Sequence, residues 1–229
     1  MLSPDQISHF NTKGYLVVED LVDQETLSAI RAEYAIRVDE LYQEWFDQGL
    51  VDKAPEKLGF WEKLDQGYLN DLDVHQPLNL SLPHGDVRHD SPMHSGPAIF
   101  NMVRHPKLLD VVEDLIGPEI TANPIQHVRI KPPERAVRKD ELRAHVIATD
   151  WHQDKGVTLD EADETTMITV WLAVTDATIE NGCLQVASSG AEKELLPHCC
   201  RKQVAIVDQD ELSRNAVPTP VKAGGAVIF

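Results

Sequence analysis

The chain is poor in cysteine, in positive charge and in long apolar runs. Among its 229 residues the cysteines are Cys183, Cys199 and Cys200. Adjacent cysteines rarely pair, and three is an odd number, so a disulfide frame is excluded. With no C-x2-C pair, a thiolate zinc site is excluded as well. Both points suit a reduced, cytoplasmic protein. The opening MLSPDQISHF has no basic segment followed by an apolar one, so no secretory signal is read there. Lys and Arg total 21 against 38 Asp and Glu, a formal charge of -17. Such a surface repels phosphate backbones and anionic lipid, which excludes non-specific nucleic-acid binding and a basic membrane anchor. No window approaches the ~18 to 20 apolar residues of a membrane span. Oligomeric state is not legible.

What is present is a globular composition. Apolar residues make up 42% and charged residues 26%, in a chain long enough to bury a sizeable core. Ser3, Pro4 and Gln6 predict a capped helix stopped at Gly14, followed by a short strand at Tyr15–Val18. Asp23 caps a longer helix. Its apolar residues Leu27, Ile30, Tyr34, Val38, Leu41 and Trp45 fall at helical steps, and Gly49 stands at its end. Residues 50–97 lose periodicity and carry five prolines with His75, His84, His89 and His94, which reads as a long irregular segment, either a cover over an active site or an ordered surface loop. Pro106 opens another helix that ends at Gly117. Beyond it, Ile125–Ile130, Met167–Val174, Cys183–Ala187, Gln203–Val207 and Ala226–Phe229 read as strands separated by turns. No helical pattern recurs between them. Helices first and strands after predict a β-rich α+β fold, a sandwich or jelly roll with the N-terminal helices packed outside.

The chemistry-bearing residues lie in Asp150-Trp151-His152-Gln153-Asp154. On an extended segment, residues two apart share a side, so His152 and Asp154 can meet one metal ion. With one further His they would complete the 2-His-1-carboxylate triad of non-haem iron oxygenases. The tripeptide also occurs at His84-Gly85-Asp86, so context must choose. The copy at 84–86 sits among prolines. The copy at 152–154 precedes the clearest strand of the chain. Scattered loop histidines at 84, 89 and 94 are expected to be solvated, and the acidic run from Asp160 to Glu164 lacks the spacing of a calcium loop. Ser188-Ser189 has no nucleophile elbow around it.

That context carries a resemblance. IQHVRIKPPE from Ile125, WHQD at 151–154, TVWLAVTDATIENGCLQVASSG from Thr169, LLPH at 195–198 and VKAGGAVIF at the end stand in one order. In these pieces the chain resembles the phytanoyl-CoA dioxygenase family of Fe(II)/2-oxoglutarate oxygenases. The resemblance implies a double-stranded β-helix, an iron held by His152, Asp154 and a distal His, and 2-oxoglutarate chelating that iron. It implies that O2 is consumed, that succinate and CO2 leave, and that a small organic substrate is hydroxylated. By the same resemblance His127, Thr149 and Trp171 line the cosubstrate. The acidic charge argues against an acyl-CoA substrate, whose phosphates prefer Lys and Arg.

Two departures stand beside the match. Ala187-Ser188-Ser189-Gly190 replaces the family's P-G-S-H. No His follows His198 and no Arg follows Arg214, where the family places its distal ligand and the Arg for the cosubstrate's far carboxylate. His198 lies 46 residues after His152, too close for the usual third ligand. The expectation is therefore one oxygenase-like domain over 1–229, truncated at its C-terminal end, with Phe229 in mid-sheet. The alternative is an inactive β-helix binding module that has lost the triad.

Overall fold

The first elements follow from their caps. The Ser3 hydroxyl accepts the Gln6 amide at 3.2 Å, and the Gln6 side chain accepts the Ser3 amide at 2.9 Å. Helix α1 (Pro4–Lys13) starts on this box and ends at Gly14, φ 79°. Strand β1 (Leu16–Val18) follows. Asp23 Oδ1 accepts the Thr26 amide at 2.8 Å and opens α2 (Gln24–Asp47). This bond, then the Thr26 hydroxyl, holds the Asp23 carboxyl below its ordinary range. All six apolar residues of the predicted stripe on α2 are buried. Helices α3 (Phe60–Leu69), α4 (Pro97–Val103) and α5 (Pro106–Ile116) come next. Then come β2 (Val170–Leu172), β3 (Gln185–Ala187), β4 (His198–Cys200), β5 (Val204–Ile206), α6 (Gln209–Arg214), β6 (Ala216–Pro218) and β7 (Ala226–Ile228). The computed structural model describes residues 1–83, 85–141, 146–158, 164–187, 195–200, 204–207 and 209–229. Among them no helix is long and apolar enough to cross a membrane. Most helices precede most strands, as predicted, but α6 stands between β5 and β6, where no helix is expected, and each described strand is three residues long. Among the described residues helix outweighs strand, and the strands form small antiparallel sheets.

The chain forms two compact units. The first comprises Met1–Ser28, Asn101–Ile120 and Asp150–Phe229. Its main sheet has the order β1-β7-β2, all antiparallel, with Val227 opposite both Val17 and Trp171. The central strand β7 is fully buried on both faces. Ala226 and Ile228 pack with Leu21, Val111, Phe10 and Leu108 on one side. Val227 packs with Ala173, Val221, Leu184 and Trp171 on the other. Phe229 continues the ladder, since it exchanges backbone bonds with Thr169 at 2.7 and 3.1 Å. The pairs β3–β6 and β4–β5 are separate two-stranded sheets. Val221 forms a single antiparallel bridge to Ala177.

The approach to β7 requires glycine. Gly224 has φ 95°, and a Cβ there would lie 2.6 Å from the Val22 carbonyl oxygen. A Cβ on Gly225 would lie 2.8 Å from the Val18 carbonyl oxygen and 2.6 Å from Val221 Cγ2. Both carbonyls are held, because Val22 N donates to Gly224 O at 2.9 Å and Val18 is paired with Ala226 in the sheet.

The second unit comprises Ala29–Phe100 and Thr121–Thr149. Residues 50–97 are less irregular than predicted, because α3 lies within them. The Glu62 carboxylate accepts the Gly59 amide at 2.8 Å to start that helix. The rest of the segment is tied by polar side chains. Glu33 accepts the Ala98 amide at 2.6 Å and meets His94 Nε2 at 3.0 Å. Buried Tyr34, its phenol pushed well above the usual range by desolvation, donates to Leu78 O at 3.1 Å. Gln76 Nε2 donates to Ser81 O at 2.8 Å and Pro92 O at 2.9 Å, and His94 N donates to Asn79 O at 2.7 Å. Ile125–Ile130, predicted as a strand, is none. Its backbone pairs with side chains instead: Ser81 Oγ with Gln126 N and O, Asn79 Oδ1 with Val128 N, and the Tyr68 hydroxyl with Ile130 O.

Two outcomes are expected. Gly225→Ala should cost about 1–3 kcal/mol in denaturant unfolding, the range of overpacking against fixed neighbours. Asp23→Ala should lower the Tm at neutral pH. The Asp23 carboxyl is depressed in the folded state, so its contribution is present above the ordinary value of 3.8 and is lost as pH falls through the lower folded value. Melting curves should therefore converge with those of the unsubstituted protein in acid.

Candidate metal centre

His152 and Asp154 are brought together by the backbone of Gln153, which is extended at φ -103° and ψ 132°. Asp154 then opens a 3-10 turn, Asp154–Val157. His152 Nε2 lies 3.1 Å from Asp154 Oδ1, with both side chains about one-third exposed. His152 Nδ1 donates to the Asp150 carbonyl oxygen at 2.8 Å. A carbonyl oxygen only accepts, so Nδ1 carries a proton and the Nε2 lone pair is the one aimed at Asp154. Two electron-rich atoms at this separation call for a positive centre between them, a proton or a metal ion. Two cis positions of an octahedral ion with bonds of about 2.1 Å lie about 3.0 Å apart. The pair therefore fits two cis ligands. Asp154 Oδ2 faces away from His152 and accepts the Thr169 hydroxyl at 2.5 Å.

The segment is clamped from the β4–β5 pair and α6. Trp151 N donates to Gln209 Oε1 at 2.8 Å, and Gln209 Nε2 donates to Trp151 O at 2.9 Å and Ile206 O at 2.7 Å. Ile206 N also reaches Trp151 O at 2.8 Å. The Trp151 indole donates to Ser213 Oγ at 2.9 Å. Gln153 N donates to His198 Nε2 at 3.0 Å, and His198 Nδ1 donates to Leu196 O at 2.7 Å. Both nitrogens of His198 are thereby engaged by main chain. A side chain at Gly156 would collide with its ring. His198 supports the ligand segment and is not placed as a ligand.

The other predicted site residues divide between the units. Trp171 lies on β2, two residues after Thr169 and so on the same face, within the cluster around Val227. His127 and Thr149 belong to the second unit. His127 Nδ1 is 3.3 Å from the amide of buried Asn79, with its ring 6.2 Å from that of His75. Thr149 is exposed. His84 lies outside the described residues. His89 is exposed and His94 is bound to Glu33, so neither stands in a metal-binding group. Among the described residues no three His, Cys, Asp or Glu side chains gather around a common metal position. An open pocket of about 440 Å³ lies elsewhere, between α1 and β1, lined by Asp5, Gln6, His9, Tyr15, Leu16 and Val17. Thr169, Gln209 and His198 were not read as site supports from the sequence. Strand parity was the available signal for Thr169.

The family described as Phytanoyl-CoA dioxygenase (PhyH) matches residues 10–229. The chain belongs to that family. No curated protein matches it. A solved structure, that of the epimerase SnoN in complex with Fe3+, alpha ketoglutarate and nogalamycin RO, is similar over 98% of this chain and 72% of that one. The identity is 10% and the TM-score 0.49.

Gln209→Ala removes three bonds that hold Trp151 and Ile206. Amide exchange at Trp151, Gln153 and Ile206 should speed up by about 10- to 100-fold, the effect of losing about 1.4–3 kcal/mol of local protection. Unchanged exchange would show that the clamp does not hold the segment.

Proposed function

We propose that this PhyH-family chain is an Fe(II)/2-oxoglutarate-dependent dioxygenase that hydroxylates a small organic molecule, built on a double-stranded β-helix. The observation that carries the reading is the 3.1 Å approach of His152 Nε2 to Asp154 Oδ1, with Nδ1 held by Asp150 O. His152 and Asp154 would hold the iron. Bound iron supplies the O2 chemistry that couples conversion of 2-oxoglutarate to succinate and CO2 with insertion of one oxygen into a substrate C–H bond.

The residues' own contributions are positional. The Nδ1–H bond to Asp150 O fixes the imidazole tautomer and aims Nε2. The clamp from Gln209 and His198 fixes the backbone between the two ligands. Half-burial leaves the pair reachable from solvent, as an exchangeable cosubstrate requires. His127, Thr149 and Trp171 are proposed to line the cosubstrate, on the strength of the family match. The expected single domain over 1–229 and the cytoplasmic location stand as parts of the same proposal.

A non-catalytic module is the competing reading, favoured by the absence among the described residues of a third converging ligand. Anaerobic titration with Fe(II) and 2-oxoglutarate decides between them. The dioxygenase reading expects a visible charge-transfer band on adding both, and succinate formation in air. His152→Ala and Asp154→Ala should each weaken Fe(II) binding by more than about 100-fold and abolish turnover. His89→Ala, in an exposed side chain, should change neither. Full Fe(II) binding by His152→Ala would refute the mechanism.

A further inference from the structure

Asp154 presents two chemically equivalent oxygens, and rotation about the terminal carboxylate torsion is soft. In this chain they are made inequivalent. Oδ1 faces His152 Nε2 at 3.1 Å, and Oδ2 accepts the Thr169 hydroxyl at 2.5 Å. That length belongs to charge-assisted O–H···O⁻ bonds, the stronger class. Thr169 is itself fixed. Its amide donates to Phe229 O at 2.7 Å, and its carbonyl accepts from Phe229 N at 3.1 Å. Its β-branched side chain has little freedom about the first torsion. The hydroxyl therefore approaches Oδ2 from a backbone position set by the sheet.

We propose that Thr169 is a positioning residue which engages Asp154 Oδ2 and so reserves Oδ1 as the one metal-ligating oxygen. The inference rests on reading His152 and Asp154 as iron ligands. Its consequence is a matter of coordination number. An octahedral ion has six positions. A carboxylate bound through both oxygens would take two of them, whereas Asp154 with Oδ2 engaged by Thr169 would take one.

The test uses the full chain with Thr169→Val, which removes the hydroxyl at nearly constant shape, Thr169→Ala as a second variant should valine disturb folding, and Thr169→Ser, which restores the donor. Fe(II) affinity is measured anaerobically, and the visible spectrum of the Co(II)-loaded protein reports coordination. Val or Ala should weaken Fe(II) binding by about 10- to 100-fold, as loss of a ligand's supporting partner does. The same variants should alter the Co(II) spectrum, while Ser stays within about threefold of the unsubstituted protein and keeps its spectrum. A merely structural role would lower the Tm and leave the Co(II) spectrum unmoved. Unsubstituted affinity and spectrum in folded Thr169→Val or Thr169→Ala would overturn the proposal. If His152→Ala binds Fe(II) normally in the same assay, the metal-centre reading itself fails; if His152→Ala loses binding and Thr169→Val does not, only the role of Thr169 does.

Discussion

The first unit depends on one strand. β7 carries three consecutive side chains with no solvent exposure and pairs on both edges, so it is at once the centre of the sheet and the boundary between two apolar clusters. A strand buried on both faces loses the in-and-out alternation of a surface strand and reads as an unbroken apolar run. Ala226-Val227-Ile228-Phe229 is such a run. Its neighbours are constrained in turn: β1 and β2 are set by its register, and the Gly224–Gly225 approach has room for no side chain. The candidate metal centre inherits this order through Thr169, whose backbone is paired to Phe229 and whose hydroxyl meets Asp154.

Elements with local determinants were legible from residues alone. α1, α2 and α5 announce themselves by Ser3 with Gln6, by Asp23, and by Pro106 with Gly117, because caps and helical spacing act within a few residues of one another. α3 was hidden. Phe60, Leu64 and Tyr68 do fall four apart, but the helix is short, contains Gly67 and is flanked by prolines. Its N-terminal signal was the Gly59–Glu62 pairing. β4 and β6 had no pattern to read: His198-Cys199-Cys200 lacks a strand's composition and pairs with the neighbouring β5, whereas Ala216-Val217-Pro218 becomes a strand only through β3, a partner distant in sequence.

Ile125–Ile130 failed in the opposite direction. Its composition is that of a strand, yet strand propensity expresses fit to a sheet, and here the hydrogen-bonding partners are Asn79, Ser81 and Tyr68 side chains. The approach of His152 to Asp154 was legible because the spacing of two in His152-Gln153-Asp154 needs only one extended residue. What surrounds it was not. Gln209 and His198 act from 45 to 58 positions away, a separation at which no periodicity speaks.

The ties at Gln76 and Asn79 have a consequence for how the chain can diversify. Gln76 holds Ser81 and Pro92 with one amide group, and Asn79 O receives the His94 amide, so the chain departs and re-enters through neighbouring fixed points. Whatever is inserted between those points meets a closed base. Doubling the length of such a stretch adds only about 0.6 kcal/mol of closure entropy. Between Ser81 and His94 added length therefore costs little closure entropy, because Gln76 and Asn79 hold the two ends together.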